Sequence, residues 1–157
     1  MPNFINLNKC QEIFSFANNI VISTHTNPDG DAIGSELALY HYAKQYTKNV
    51  EIINDTPTPQ NLKYLIGSEV IKIFDEGNYH QNILNADLII VVDLNDSKRL
   101  KSVQESVLKS RAKKLVIDHH LEPQNFADYY LVDSTASSTG ELIWRFINDE
   151  FYKKNTK

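Results

Sequence analysis

The 157 residues are 41% hydrophobic and 23% charged, the balance of one globular domain long enough to bury a core. Sixteen Lys and Arg against twenty Asp and Glu leave a formal net charge of −4, which argues against a surface that holds long nucleic acid through many phosphate contacts. No apolar run approaches the roughly 20 residues of a membrane helix, the start lacks a secretory pattern, and the single cysteine, Cys10, cannot close an internal disulfide. A cytoplasmic protein with no membrane partner is the expectation.

In chain order, a helix is expected near 6–18 and a strand over 20–23. Helical spacing of Ile33, Leu37, Ala38 and Tyr42 predicts a second helix over 31–47. Strands follow at 50–53 and 70–74, separated by a short helical stretch near 59–66. The runs at 88–92 and 115–117 are nearly continuous Val, Ile and Leu, the composition of strands buried on both faces. Between them, Leu100, Val103, Val107 and Leu108 suggest a helix over 97–110, and a closing helix is expected near 138–152. The alternation predicts an α/β fold: a mainly parallel sheet of about five strands with helices on both faces. One domain over 1–152 and a frayed tail at 153–157 complete the expected layout. The basic cluster Lys109, Arg111, Lys113 and Lys114 is expected to be a solvated face at a helix end.

In open α/β sheets, ligands bind beyond the carboxyl ends of the strands. Three strands deliver polar residues there. The first runs into His25-Thr26-Asn27-Pro28-Asp29-Gly30-Asp31, the fourth into Asp93, and the fifth into Asp118-His119-His120. Carboxylate and imidazole donors without clustered cysteines suit divalent manganese, iron, cobalt or zinc. Five candidate ligands emerge: His25, Asp29, Asp31, Asp93 and His119. A central carboxylate such as Asp93 could bridge two cations roughly 3.5 to 4 Å apart, an arrangement that clamps a phosphoryl group for in-line attack.

Each residue taken singly has a plainer role. Asp31, directly before a helix, suits an N-cap; Asp93 alone would pass for a strand-ending turn residue; a lone histidine is more often structural. Convergence of five such groups at three strand ends favours a metal site. Further on, Ser138 and Glu141 fit a capping box, while the hydroxyls of Ser137 and Ser138 and the amides beside them also suit a phosphate or a bond to a metal ligand. Arg99 could offer a fork of donors to a substrate phosphate or form a surface salt bridge.

The ordered blocks His25 to Ser35, Val91-Val92-Asp93, Ile117-Asp118-His119-His120 and Ala136-Ser137-Ser138-Thr139-Gly140-Glu141 resemble the DHH phosphoesterases, and the last block most resembles the nanoRNase (oligoribonuclease) and pAp phosphatase branch. The resemblance implies two divalent metal ions, Mn²⁺ by expectation: one held by His25, Asp29 and Asp93, the other by Asp31, Asp93 and His119. It further implies that His120 faces the scissile phosphate and that Asp118 orients the histidines. The implied substrates are short RNA or 3′-phosphoadenosine 5′-phosphate. Alternatives are a related hydrolase acting on pyrophosphate or cyclic dinucleotides, or a non-catalytic nucleotide- or metal-binding module. Self-association as a homodimer stays open. The family pattern continues with a Gly-Asp-Thr-Gly-like segment carrying a further ligand aspartate, then a second domain. Neither occurs in these 157 residues, and Asp133 does not match the missing position. The expectation is therefore the N-terminal catalytic domain of a longer enzyme, weakly active or inactive alone.

Overall fold

Strands that are apolar on both faces need helices on both sides, and the chain's order of elements supplies them. The computed structural model describes residues 1–46 and 49–155, the last seven as backbone only. The elements are α1 (Leu7–Phe16), β1 (Asn19–Ser23), α2 (Gly30–Ala43), β2 (Asn49–Asn54), β3 (Ile71–Ile73), α3 (Glu76–Leu84), β4 (Leu88–Val92), α4 (Gln104–Lys109), β5 (Lys113–Asp118), β6 (Tyr129–Val132) and α5 (Thr139–Asn155). Every strand pairing is parallel, in the order β3-β2-β1-β4-β5-β6. The winding reverses between β1 and β4, where a crevice forms at the carboxyl ends of the strands.

Alternate side chains divide the core into two layers. Ile20, Ile22, Leu88, Ile90, Val92, Leu115 and Ile117 pack with Cys10 and Phe14 of α1, Ile33 and Leu37 of α2, and Leu142 and Phe146 of α5. Their neighbours Val21, Ile89, Val91 and Val116 face the other way, onto Ile83 of α3 and Val107 of α4. At one sheet edge, the amide of Ile5 donates to the Tyr130 carbonyl at 2.9 Å and the amide of Tyr130 donates to the Asn3 carbonyl at 3.0 Å. The segment around Phe4 thus runs parallel to β6 and covers its open side.

The expected fold class holds, with differences in detail. The sheet has six strands because β6, only four residues long, joins it beyond β5. Helix α3, with Ile83 as its one buried residue, carries too little apolar periodicity to stand out in the sequence. The stretch 97–110 is divided between a 3₁₀ segment, Ser97–Val103, which is itself broken at Lys101 (φ 50°, ψ −117°), and the short α4. Residues 59–66 hold a single 3₁₀ turn, Gln60–Leu62. Helix α5 continues to Asn155, into the expected tail, of which Thr156 and Lys157 lie outside the described residues. Lys114 is not solvated: its Nζ turns back to donate to the Ser110 carbonyl at 2.8 Å and the Ala112 carbonyl at 3.2 Å, just beyond the end of α4. Among the described residues no helix is long and apolar enough to cross a membrane.

Candidate metal centre

The site grows out of how β1 and β4 end. Beyond β1, the buried Thr24 donates its hydroxyl to the Val92 carbonyl at 2.8 Å and its amide to Asn54 Oδ1 at 3.3 Å. Neighbouring strands thereby fix the start of the loop that carries His25. His25 itself is buried, and its Nδ1 lies 2.9 Å from the Thr26 carbonyl. Nδ1 must carry the proton to make that bond, which leaves Nε2 as the ligand atom. It points towards Asp93 Oδ2, 3.6 Å away.

Asp93 is the centre of the arrangement. It is 3% exposed, and its backbone sits at φ 58°, a left-handed conformation uncommon outside glycine. Its Oδ1 accepts the Thr139 hydroxyl at 2.9 Å and lies 3.7 Å from His119 Nε2 and 3.9 Å from His120 Nδ1. The two oxygens of one carboxylate therefore serve two different sides: Oδ2 towards His25, Oδ1 towards the histidine pair. Burial works to raise the Asp93 carboxyl, but His25 and the Thr139 hydroxyl outweigh it and hold the group below the ordinary aspartate range. Asp93 in turn raises His25; burial opposes this, the Thr26 carbonyl adds to it, and the charge of Arg99 works against it.

Asp29 and Asp31 are drawn into different tasks. Asp29 is the N-cap of α2, its Oδ1 accepting from the amides of Asp31 at 3.0 Å and Ala32 at 3.1 Å. The capping role expected of Asp31 thus belongs to Asp29, because Gly30 is already helical. Asp31 reaches across to α5: its Oδ2 accepts from the Thr139 amide and its Oδ1 from the Gly140 amide, each at 2.8 Å. It caps a helix 108 residues away in sequence, and its Oδ2 lies 3.8 Å from His119 Nε2. At the end of β5, Asp118 is fully buried; its Oδ1 accepts from the His119 amide at 2.9 Å and from His120 Nδ1 at 2.6 Å. That bond leaves His120 Nε2 as the outward atom of a partly exposed ring.

Two groups of three donors each come within 4.8 Å of one another: His25, Asp29 and Asp93, and Asp93, His119 and His120. The histidine-to-carboxylate separations of 3.6 to 3.8 Å are too long for hydrogen bonds. They lie at or just beyond the upper end of the roughly 3 to 3.7 Å that separates two ligands of one ion when each is about 2.1 Å from the metal. An imidazole lone pair aimed at a carboxylate oxygen is repulsive unless a proton or a cation lies between them, so oxygen and nitrogen donors in this geometry fit a divalent ion.

The residues expected to meet substrate have other partners. Arg99 lies on the 3₁₀ segment, its carbonyl accepting from the Thr26 amide at 2.8 Å, and its charge reaches His25. Ser137 donates both its amide, at 2.7 Å, and its hydroxyl, at 2.8 Å, to Glu141 Oε2, while Ser138 Oγ accepts from the Glu141 amide at 3.1 Å. The capping box is thus shared between two serines, and the first amides of α5 are taken by Asp31. Two residues of that block touch the site: Gly140, whose amide donates to Asp31 Oδ1, and Thr139, which is fully buried. The place of Thr139 as the first residue of a helix whose start abuts metal-ligand candidates was the signal that could have singled it out.

The family model for the N-terminal domain of the DHH family matches residues 19–157. The bifunctional oligoribonuclease and PAP phosphatase NrnA of Bacillus subtilis is 29% identical over 148 residues, covering 91% of this chain and 43% of that protein. The cyclic-di-AMP phosphodiesterase PdeA of Listeria monocytogenes is 27% identical over 143 residues, 85% of this chain and 22% of its own length. A crystal structure described as an exopolyphosphatase-related protein from Bacteroides fragilis superposes with a TM-score of 0.87 at 36% identity, covering 91% of this chain and 43% of that one. The chain spans less than half the length of each of these proteins. With the family model matched over most of its residues and the four blocks gathered at the carboxyl ends of the strands, the chain belongs to the DHH family, matching its N-terminal domain.

Proposed function

We propose that the chain is the metal-binding part of a manganese-dependent phosphoesterase that hydrolyses short oligoribonucleotides, 3′-phosphoadenosine 5′-phosphate, or both. The observation that carries the reading is the buried, left-handed Asp93, whose two oxygens face separate donor groups. One cation would be held by His25, Asp29 and Asp93, and the other by Asp31, Asp93 and His119. Bound cations supply Lewis-acid polarisation of the phosphoryl group and acidify a water molecule near neutral pH.

The chain's own residues do the rest. His25 and His119 present Nε2 as ligand atoms, and Asp93 would offer one carboxylate oxygen to each cation position. Asp118 fixes the His120 ring through Nδ1, so that Nε2 can give its proton to the leaving oxygen as the P–O bond breaks. Arg99 offers charge to a substrate phosphate at the rim, whereas the Ser137 and Ser138 hydroxyls bear chiefly on the start of α5. A net charge of −4 suits a small anionic substrate held by metal and local donors rather than a long polyanion.

The similarity to a cyclic-di-AMP phosphodiesterase supports a second reading, hydrolysis of a cyclic dinucleotide. The deciding experiment assays the protein at its full natural length, with Mn²⁺, on a dinucleotide, 3′-phosphoadenosine 5′-phosphate, pyrophosphate and cyclic di-AMP. Release of mononucleotide or of the 3′-phosphate is expected. Turnover of cyclic di-AMP alone would favour the second reading, and turnover of none would defeat both. Asp93→Ala should lower activity by more than the about 10- to 100-fold typical of losing a residue that only supports a ligand.

A further inference from the structure

Thr139 is fully buried and makes two bonds to two different ligand candidates. Its amide donates to Asp31 Oδ2 at 2.8 Å and its hydroxyl to Asp93 Oδ1 at 2.9 Å. The next amide, of Gly140, takes the remaining Asp31 oxygen. A Cβ at Gly140 would stand 3.2 Å from Asp31 Oδ1, so the backbone approaches this carboxylate closely. The start of α5 therefore holds one carboxylate from the first turn of α2 and one from just beyond β4.

We propose that Thr139 is a positioning residue that sets the geometry of the Asp31, Asp93 and His119 cation position while leaving the His25, Asp29 and Asp93 position largely untouched. The inference rests on the functional reading above and sharpens it. The asymmetry follows from which oxygens are engaged. The Thr139 hydroxyl binds Oδ1 of Asp93, the oxygen on the His119 side, whereas Oδ2 on the His25 side is not its partner. A carboxylate on a left-handed residue still has freedom about its side-chain torsions, and a hydrogen bond to one oxygen removes it. The Asp31 carboxylate would gain a second anchor in the α5 amides, whose partial positive charge also offsets the repulsion between two acids facing one centre. Residues that hold a ligand in this way commonly alter metal affinity by about 10- to 100-fold when changed.

The test is Mn²⁺ binding by the metal-free chain, followed by titration calorimetry and by electron paramagnetic resonance, which distinguishes a lone Mn²⁺ from a coupled pair. Thr139→Val keeps the shape and removes the hydroxyl; Thr139→Ser keeps the hydroxyl and removes the methyl. Expected for Thr139→Val is an about 10- to 100-fold weaker second binding step and loss of the coupled signal, with the first step retained. Thr139→Ser should behave as wild type. If Thr139→Val does not unfold cooperatively in the metal-free state, Thr139→Ala, which introduces no bulk, takes its place. Equal Mn²⁺ binding by wild type and the hydroxyl-free variant, or equal loss in the serine variant, overturns the role of Thr139 alone. A wild-type chain that takes up no Mn²⁺ overturns the functional reading and this inference with it.

Discussion

One carboxyl group away from the metal centre shows what burial does to this fold. Glu36 on α2 is fully buried; its Oε2 accepts from Asn54 Nδ2 at 2.8 Å, while Oε1 has no hydrogen-bond partner. Burial pushes its pKa from 4.5 up to about 8, against the opposing bond from Asn54. The folded chain therefore holds a proton that the unfolded chain has already lost above 4.5. The contribution of Glu36 to stability is complete below that value and declines as pH rises towards about 8, by at most about 1.4 kcal/mol per pH unit. Glu36→Gln, which mimics the protonated acid, should remove this decline. Urea unfolding of both forms between these limits checks it, and parallel pH profiles would rule it out. At the same scale, the sequence made the donor residues visible but not their division of labour. Asp29 and Asp31 are two residues apart, and only the entry angle of α2 decides that one caps its own helix and the other caps α5.

At the scale of the element, strands β1, β4 and β5 could be read directly, because strands covered on both faces are written as runs of Val, Ile and Leu. Strand β6 could not. Tyr129 to Val132 is four residues, two of them tyrosines, and what makes it a strand is the free edge of β5 on one side and the Asn3 to Ile5 segment on the other. The same applies to α3, held to the sheet mainly through Ile83. In the stretch 97–110, Leu100, Val103 and Val107 are all buried, as the apolar spacing suggested, yet the backbone breaks at Lys101. A lysine at φ 50°, ψ −117° occupies a region that only glycine enters freely. Lys101→Gly is accordingly expected to stabilise the fold by about 1 kcal/mol, the strain relieved outweighing the extra freedom of glycine in the unfolded chain. Chemical denaturation decides the sign. A loss of stability would mean that the lysine side chain contributes more than the strain costs.

Across the whole molecule, backbone conformations that cost energy gather where the chemistry is placed. Among the described residues, the non-glycine positions with positive φ are Asn27, Asp93, Lys101 and Glu122, in the segments that follow β1, β4 and β5. All lie on the carboxyl side of the sheet. The order β3-β2-β1-β4-β5-β6 is what brings residues from 25 to 139 within reach of the Asp93 carboxylate; the polar residues at the strand ends announce the convergence, but which oxygen meets which donor depends on the folded whole.

The few residues ahead of α1 carry a different consequence. Because Asn3 to Ile5 run beside β6, with the Phe4 and Tyr130 rings 6.1 Å apart, they deny the outermost strand to any other chain. Removing residues 1–5 would leave the peptide groups on that side of β6 and the Tyr130 ring open to a strand from a neighbouring molecule. The shortened chain is expected to associate more strongly with rising concentration in sedimentation than the intact chain, and identical behaviour of the two would refute this. Those opening residues then act as a guard against misassembly, whatever they add to the stability of the monomer.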